Sequence, residues 1–376
     1  MRSQLATAFG LRLPLFAFTT SREVVVAVSR AGGMGVLGAI PYSADELAAH
    51  LDWIDAHIDG RPYGVDVVMP ASYAGSGDGA LDKSAFAEMI PEAQRRFIGE
   101  LLERYGVPPL PEGVRPYEDL LSWVHHLTRT QVDVALTHPI RLLANALGPP
   151  PPDVIDKAHA KGVKVAALCG SVRHAQKQVA AGVDVIIAQG TEAGGHTGDV
   201  STMVLVPEVV DAVAPHPVLA AGGIGTGRQL AAALALGADG AWTGSIWLTT
   251  VENQLTPEVV KHKLLAAGSR DTVRSRALTG KPARQLRTAW TDAWESAESP
   301  GTLPLPLQYM ATSDAVNRIH YHAAHTPSSR ASELLGSPVG QIVGRMNRIR
   351  PAAEIVEEMA AELRRTIARL GSRDDD

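Results

Sequence analysis

The chain has 376 residues, 45% of them hydrophobic, and a formal net charge of -5, which gives no electrostatic reason to expect nucleic acid or anionic membranes as partners. Its one cysteine, Cys169, excludes an internal disulfide and a cysteine-based zinc site and is typical of a reducing cytosol. Because no apolar run approaches the roughly 20 residues that span a bilayer and the N-terminus lacks the apolar segment of a signal peptide, we expect a cytoplasmic protein.

Short apolar segments alternate with amphipathic segments along most of the chain. The pattern predicts strands at residues 13–18, 34–40, 63–69, 163–168, 183–187, 218–221 and 241–246, and helices at residues 22–30, 43–57, 153–161, 172–181, 204–214 and 229–236. Further apolar segments lie at residues 132–136 and 141–146. Strand, loop, helix and terminal glycine at this spacing predict a parallel sheet with right-handed crossovers.

The position of the glycine-rich turns favours a closed barrel over an open doubly wound sheet. A Rossmann fold would place GxGxxG after its first strand, whereas here the glycine-rich turns come late, where barrels bind phosphate. We therefore predict a TIM (β/α)8 barrel, which needs about 250 residues, from residues 1–70 and 131–255, with a smaller, mainly helical lid domain. Residues 71–130 are predicted to be a helical insertion near the barrel mouth, and residues 256–376 a C-terminal lid region ending in an amphipathic helix at 352–370.

Two late turns have the composition of a phosphate site. The stretch AAGGIGTG joins a predicted strand to a predicted helix through Gly222 and Gly223, and Trp242-Thr243-Gly244-Ser245 ends the next strand. Glycine amides at a helix N-terminus point together at an anion, and the helix dipole favours negative charge there. The alternative is that these glycines only allow tight turns. We favour a phosphate site, of a size that suits a mononucleotide such as FMN.

A single imidazole follows the predicted strand at residues 183–187. The loop from Gln189 runs through Gly194 and Gly195 to His196, and a glycine-rich loop offers few side chains against which a structural histidine could pack. An imidazole with a pKa of about 6.5 exchanges protons near neutral pH, so we predict a catalytic or substrate-contacting role for His196. Glu192 either orients that ring or caps a turn, and we favour the cap.

Other polar residues leave the sequence open to more than one interpretation. Asp66 stands among valines in a predicted strand, either at the strand edge or as a polar group aimed into the barrel mouth. The histidines near residues 125 and 320 lack the carboxylate spacing of a metal site, and we predict no metal. The apolar stripe of Ile355, Met359 and Leu363 is predicted to bury against the barrel or against a second copy in a homodimer.

AQGTEAGGHTGD and PVLAAGGIGTGRQLAAALALGADGAWTGS together resemble the nitronate monooxygenase family, formerly called 2-nitropropane dioxygenases, and the related flavin-dependent enoyl-acyl carrier protein reductases. The resemblance implies a TIM barrel that binds one FMN beneath a lid, and it matches His196 to the family's proton-abstracting base. It carries flavin contacts onto the following residues: Ala17, Phe18, Thr19, Asp66, Gln189, Gly194, Gly195, Gly222, Gly223, Trp242, Thr243, Gly244 and Ser245. The chain departs from the family pattern at Phe18 and Thr19, at Asp66 where asparagine is frequent, and at Ser245.

The leading functional hypothesis is an FMN-dependent monooxygenase that oxidises alkyl nitronates with dioxygen to carbonyl compounds and nitrite, with His196 as the base. The second hypothesis is an NAD(P)H-dependent reductase of an enone or acyl-thioester, in which Arg345, Arg348 and Arg350 accommodate a bulky anion or only form a solvated surface. A third hypothesis is a flavin-binding protein without catalytic activity.

Overall fold

The protein is described by a computed structural model that covers residues 3–69, 88–114, 125–326 and 328–372. Eight of its strands are parallel: β1 Leu15–Thr19, β2 Met34–Gly38, β3 Tyr63–Val67, β4 Leu142–Asn145, β5 Lys164–Cys169, β6 Val185–Gln189, β8 Val218–Ala221 and β9 Gly240–Thr243. They close into a barrel in the order β1-β2-β3-β4-β5-β6-β8-β9, which confirms the predicted TIM barrel.

Helices on the outside of the barrel connect successive strands, and others follow in the C-terminal region. The described helices are α1 Gln4–Ala8, α2 Arg22–Arg30, α3 Ala44–His57, α4 Glu92–Arg104, α5 His125–Ala135, α6 Pro152–Ala160, α7 Val172–Ala180, α8 Thr202–Val213, α9 Gly227–Ala235, α10 Glu258–Ala266, α11 Ala289–Trp294, α12 Leu307–His325, α13 Ala331–Leu334 and α14 Ala352–Gly371. Local signals set several of these boundaries. Ser21, Ser43 and Ser171 each accept a hydrogen bond from a first-turn amide of the helix that follows.

Alternation along the strands separates two apolar layers. Phe16, Met34 and Ile187 are fully buried and belong to the core inside the barrel, whereas Val65 and Ile186 are buried in the core beneath the helices. Successive side chains of a strand point to opposite faces, so every second residue counted from Phe16, Met34 or Ile187 along its strand is directed to the barrel interior. This periodicity determines which side chains reach the barrel mouth.

The last helix packs against the barrel. Ile355, Met359 and Leu363 are all buried, and Gly227 lies so close to α14 that a Cβ atom there would overlap the Met359 carbonyl oxygen. Of the two predicted uses of this apolar stripe, the structure therefore shows burial against α9 of the barrel.

Several predicted boundaries are wrong in the region around the site. The strand predicted at 241–246 ends at Thr243, because a 3-10 turn over Ser245–Trp247 follows at once. The loop after β6 contains a two-residue strand, β7 Gly195–His196, which pairs with β11 Ala283–Leu286, and β11 pairs with β10 Thr272–Ser275. The sequence pattern indicates no clear strand after residue 246. Arg284 and Gln285 are polar residues buried in β11, so it lacks the apolar pattern that predicts a strand.

The predicted insertion lies only partly within the described residues. Its described part contains α4, which confirms a helix there, and the start of α5, while residues 70–87 and 115–124 lie outside the described residues. The proposed domain boundaries stay predictions. In the described ranges, no helix is both long and apolar enough to cross a membrane.

Candidate active site

A cavity of about 360 Å³ opens at the carboxyl ends of the barrel strands, within the size range of small-molecule sites. The sequence-predicted site residues that line it are Phe18, Thr19, Asp66, Gln189, Gly194, Gly195, His196, Gly222, Gly223, Trp242, Thr243, Gly244 and Ser245. Ala17 does not line it, because its side chain is buried in the layer between strands and helices. Gathering these residues at one edge follows from the parallel strand direction, which brings every β-to-α loop to the same end of the barrel.

The turn after β8 is built to present backbone amides. Gly222 and Gly223 have φ values of +108° and +68°, a conformation that residues with a side chain rarely adopt. The Gly223 carbonyl oxygen accepts a hydrogen bond from Gln229 Nε2 at 2.6 Å, and the Gly222 carbonyl oxygen lies 3.1 Å from the Thr202 hydroxyl. Among the described residues neither glycine amide donates to a protein acceptor. The turn therefore has its amide donors available to an anion.

Glu192 and Gln229 hold this turn from outside the cavity. The Glu192 carboxylate accepts from the Thr202 amide, at 2.9 Å, and from Thr202 Oγ1, at 2.8 Å, so it caps α8 and does not orient the imidazole. The Gln229 side chain also accepts from the Gly225 amide at 3.0 Å. Of the two roles predicted for Glu192, the structure shows the cap.

A segment from the C-terminal region completes the cavity wall. Ser337, Pro338, Gly340 and Ile342 all line the cavity, although the sequence alone predicts none of them as site residues. The Gly340 amide donates to Ser245 Oγ at 2.9 Å, and the amide of Gln341 donates to the Glu192 carbonyl at 2.9 Å. These bonds join the segment to the turn after β9 and to the loop after β6. The local signals in this segment are Pro338 and Gly340, which predict a turn but do not indicate which residues the turn contacts.

His196 is held at the cavity edge by β7. Its Nδ1 lies 3.3 Å from the Pro282 carbonyl oxygen, and because a carbonyl only accepts, Nδ1 carries the proton and Nε2 of the neutral ring is left as a base. Burial lowers the pKa of His196, and the positive charge of Lys281 lowers it further, while the Pro282 carbonyl opposes both. The imidazole is therefore neutral at pH 7, the form that accepts a proton.

Asp66 is the second titratable side chain of the cavity. It is 2% exposed, and its Oδ1 has no hydrogen-bond partner among the described residues. Burial raises the pKa of Asp66 to about 8, because removing the carboxylate from water disfavours its charged form. Of the two positions left open by the sequence, the structure shows a carboxyl group in the barrel mouth.

Aromatic rings form one wall of the cavity. Phe18 and Trp242 are stacked with ring centroids 6.4 Å apart, and Trp247 Nε1 donates to Thr243 Oγ1 at 3.1 Å. The Phe18 ring fills the space beside Gly38, where a Cβ would lie 2.8 Å from a ring carbon. This wall offers a flat apolar surface next to the glycine turns.

Two histidines of the C-terminal region, His322 and His325, have local partners, and His325 Nδ1 lies 2.8 Å from the Tyr321 carbonyl oxygen. His322 Nδ1 lies 2.8 Å from Thr326 Oγ1, and its Nε2 lies 3.2 Å from the Pro109 carbonyl. Within the described ranges there is no group of three or more histidine, cysteine, aspartate and glutamate side chains that could hold a metal ion.

The cavity, the glycine turns and the uncharged imidazole all lie at the carboxyl ends of the barrel strands. TIM-barrel enzymes have their active sites at this end of the barrel. The comparison with known proteins defines the family. The sequence model named nitronate monooxygenase matches residues 3–362, and the chain belongs to that family of flavin-dependent oxidoreductases.

Individual relatives agree with this assignment. A putative monooxygenase of Mycobacterium tuberculosis is 53% identical over 373 residues, or 98% of each chain. A hydroxy-methyl-oxo-octahydroindene-carboxyl-CoA dehydrogenase from the same organism is 30% identical over 302 residues, 79% of this chain and 69% of its own. The crystal structure of a nitroalkane oxidase from Streptomyces ansochromogenes superposes with a TM-score of 0.76 at 28% identity, covering 97% of this chain and 99% of that chain.

Proposed function

We propose that the protein is an FMN-dependent nitronate monooxygenase that oxidises alkyl nitronates with dioxygen to carbonyl compounds and nitrite. The observation that carries the proposal is the neutral imidazole of His196 in the same cavity as the two glycine turns. Family membership and the similarity to a nitroalkane oxidase support the substrate class. A cytoplasmic location and a homodimer stay predictions from the sequence.

The residues at the cavity fit FMN. The unbonded amides of Gly222 and Gly223, together with the turn at Gly244 and Ser245, suit its phosphate, because glycine amides at a turn bind anions. Asp66 and Gln189 lie elsewhere around the mouth, where polar atoms suit its ring system. When bound, FMN supplies the electron transfer between nitronate and dioxygen, for which amino-acid side chains are unsuited.

His196 supplies the proton chemistry. Its Nε2 accepts the proton from the carbon next to the nitro group of a neutral nitroalkane, while Nδ1 keeps its own proton and donates it in a hydrogen bond to the Pro282 carbonyl. The resulting imidazolium then lies beside the anionic nitronate and holds it in the cavity. The stacked pair of Phe18 and Trp242 excludes water from one side. A nitronate supplied as the anion needs no proton removed, so it makes less use of His196.

The test compares His196→Asn with the wild-type enzyme on two forms of one substrate. We expect turnover of neutral nitroethane to fall about 100-fold, the lower range for removal of a general base. FMN affinity and turnover of preformed ethylnitronate are expected to change much less. Equal losses on both forms would show that His196 does not act as the base.

A histidine with a similar local contact serves as the control. His216 Nδ1 lies 3.1 Å from the Val213 carbonyl, before β8 and outside the cavity. His216→Asn is expected to leave turnover of both substrate forms unchanged.

The similarity to a carboxyl-CoA dehydrogenase supports a second candidate, an NAD(P)H-dependent reductase of an enone or acyl-thioester. Anaerobic mixing separates the two functions. Bleaching of the flavin by ethylnitronate but not by NADPH supports the monooxygenase, and the reverse supports the reductase. Arg348 and Arg350 pair with Glu354 and Glu358, which favours the solvated-surface interpretation of this arginine cluster over an anion site.

A further inference from the structure

Among the residues that the structure describes, Asp66 has no hydrogen-bond partner that accounts for a carboxyl group at its position. Its register neighbours are Gly38 on β2 and Ala144 on β4, neither of which bears a polar side chain. The interior of the barrel on these strands is apolar, with Val36 and Leu142 fully buried. A buried polar group without a partner costs free energy, so such a group in a cavity indicates a ligand that supplies the missing hydrogen bond.

The barrel topology shows which part of a mononucleotide Asp66 faces. The closed strand order places β3 four strands from β8 in either direction, so Asp66 is diametrically opposite the glycine turn at Gly222 and Gly223. A ligand whose phosphate lies at that turn extends its other end across the mouth toward β3. That end of FMN is the isoalloxazine ring, which offers both carbonyl acceptors and one N–H donor.

We propose that Asp66 acts as a neutral carboxylic acid that donates a hydrogen bond to an acceptor atom of the flavin ring, so that its ionisation weakens cofactor binding. The proposal rests on the proposed use of FMN and adds the protonation state of one residue that binds it. An asparagine would offer the same donor at every pH, whereas the aspartate offers it only while protonated. The raised pKa of the buried carboxyl is consistent with this state at neutral pH.

Few other groups contribute to the pH dependence. Phe18 and Thr20 face the cavity from β1 and the residues after it, and Leu168 faces it from β5. None of these side chains titrates. Among the described residues that line the cavity, only His196 has a titratable side chain besides Asp66, and burial already keeps that imidazole neutral above pH 7. Above neutral pH, Asp66 is therefore the described cavity residue whose side chain changes its charge.

The test measures FMN affinity of the flavin-free protein by calorimetric titration at pH 7 and pH 9. For the wild type we expect the dissociation constant to rise about tenfold at pH 9, because the neutral fraction of an acid falls about tenfold for each pH unit above its pKa. Asp66→Asn is expected to change less than about twofold over the same range. His196→Asn is expected to keep the wild-type dependence, which assigns the effect to Asp66.

Other outcomes overturn the proposal. Tighter wild-type binding at pH 9 would mean that Asp66 accepts a hydrogen bond from the flavin N–H as a carboxylate. If the dissociation constants of wild type and Asp66→Asn changed equally between pH 7 and pH 9, the ionisation of Asp66 would have no effect on cofactor binding. If the protein binds no FMN at pH 7, the proposed function itself fails. Infrared difference spectra of the wild type give an independent readout: a protonated-carboxyl stretch must shift when FMN binds at pH 7, and its absence refutes the neutral acid.

Discussion

A tight backbone contact in the cavity wall, at Gly194, gives a prediction that tests how the site is held together. A Cβ atom on Gly194 would lie 2.8 Å from both the Gly340 amide nitrogen and the Val339 carbonyl carbon. Ordinary contacts between such atoms are about 3.5 Å, so Gly194→Ala forces two backbone segments apart by more than half an ångström. The φ of Gly194 is not positive, which makes the substitution a test of space alone.

The expected cost follows from the contacts that move. Overpacking of a tight contact costs about 1–3 kcal/mol. The shifted segment also weakens the bonds from Gly340 to Ser245 and from Gln341 to Glu192, each worth about 1 kcal/mol. We therefore expect Gly194→Ala to lower the free energy of unfolding by about 2–4 kcal/mol. Because Ser245 belongs to the proposed phosphate turns, FMN affinity should fall about tenfold as well, which corresponds to about 1.4 kcal/mol.

Thermal melting of the flavin-free protein and calorimetric titration with FMN measure the two effects. Gly99→Ala is the matched control, because Gly99 lies on the exposed face of α4 and the methyl group of an alanine there would meet nothing within 4 Å. It is expected to keep FMN affinity and to stabilise the helix by up to about 1 kcal/mol. A Gly194→Ala protein with wild-type melting temperature and FMN affinity would refute the reasoning.

Two further substitutions test the support of the glycine turn and the buried acid. Gln229→Leu removes the hydrogen bonds to Gly223 and Gly225 and is expected to weaken FMN binding about tenfold, or about 1.4 kcal/mol, while Gln254→Leu at an exposed position leaves it unchanged. For Asp66 the raised pKa means that the folded protein keeps a proton that the unfolded chain has released above about pH 4, so stability falls as pH rises toward 8. Between pH 6 and pH 8 the flavin-free wild type should lose about 2 kcal/mol, since the slope is at most about 1.36 kcal/mol per pH unit and levels off near the folded pKa; a melting-temperature curve for Asp66→Asn as steep as that of the wild type would contradict the assignment.

Local signals predicted the barrel and one side of its site. The helix predicted at residues 22–30 has the bounds that the structure shows, and the glycine turns at Gly222 and Gly244 lie where two late barrel strands end. These features depend on neighbours within a few residues, so a sequence window contains them. The prediction that His196 reaches the cavity had the same basis, since His196 lies in the loop that follows the buried strand β6.

The opposite side of the site depends on contacts that are distant in sequence. Gly340 reaches Ser245 across 95 residues, and β11 pairs with the loop after β6 although its buried residues Arg284 and Gln285 are polar. Neither segment has a hydrophobic period that would reveal its partner. The role of Glu192 also depended on Thr202, ten residues away, whose amide its carboxylate accepts.

The segment around Gly340 has a consequence for the order of events during synthesis. The cavity takes residues from β1 near the start of the chain and from Ile342 near its end. A ribosome releases the N-terminal strands first, and the barrel has all eight strands about a hundred residues before the segment that closes its mouth is made. The wall of the cavity is therefore completed only once the segment around Gly340 has emerged from the ribosome.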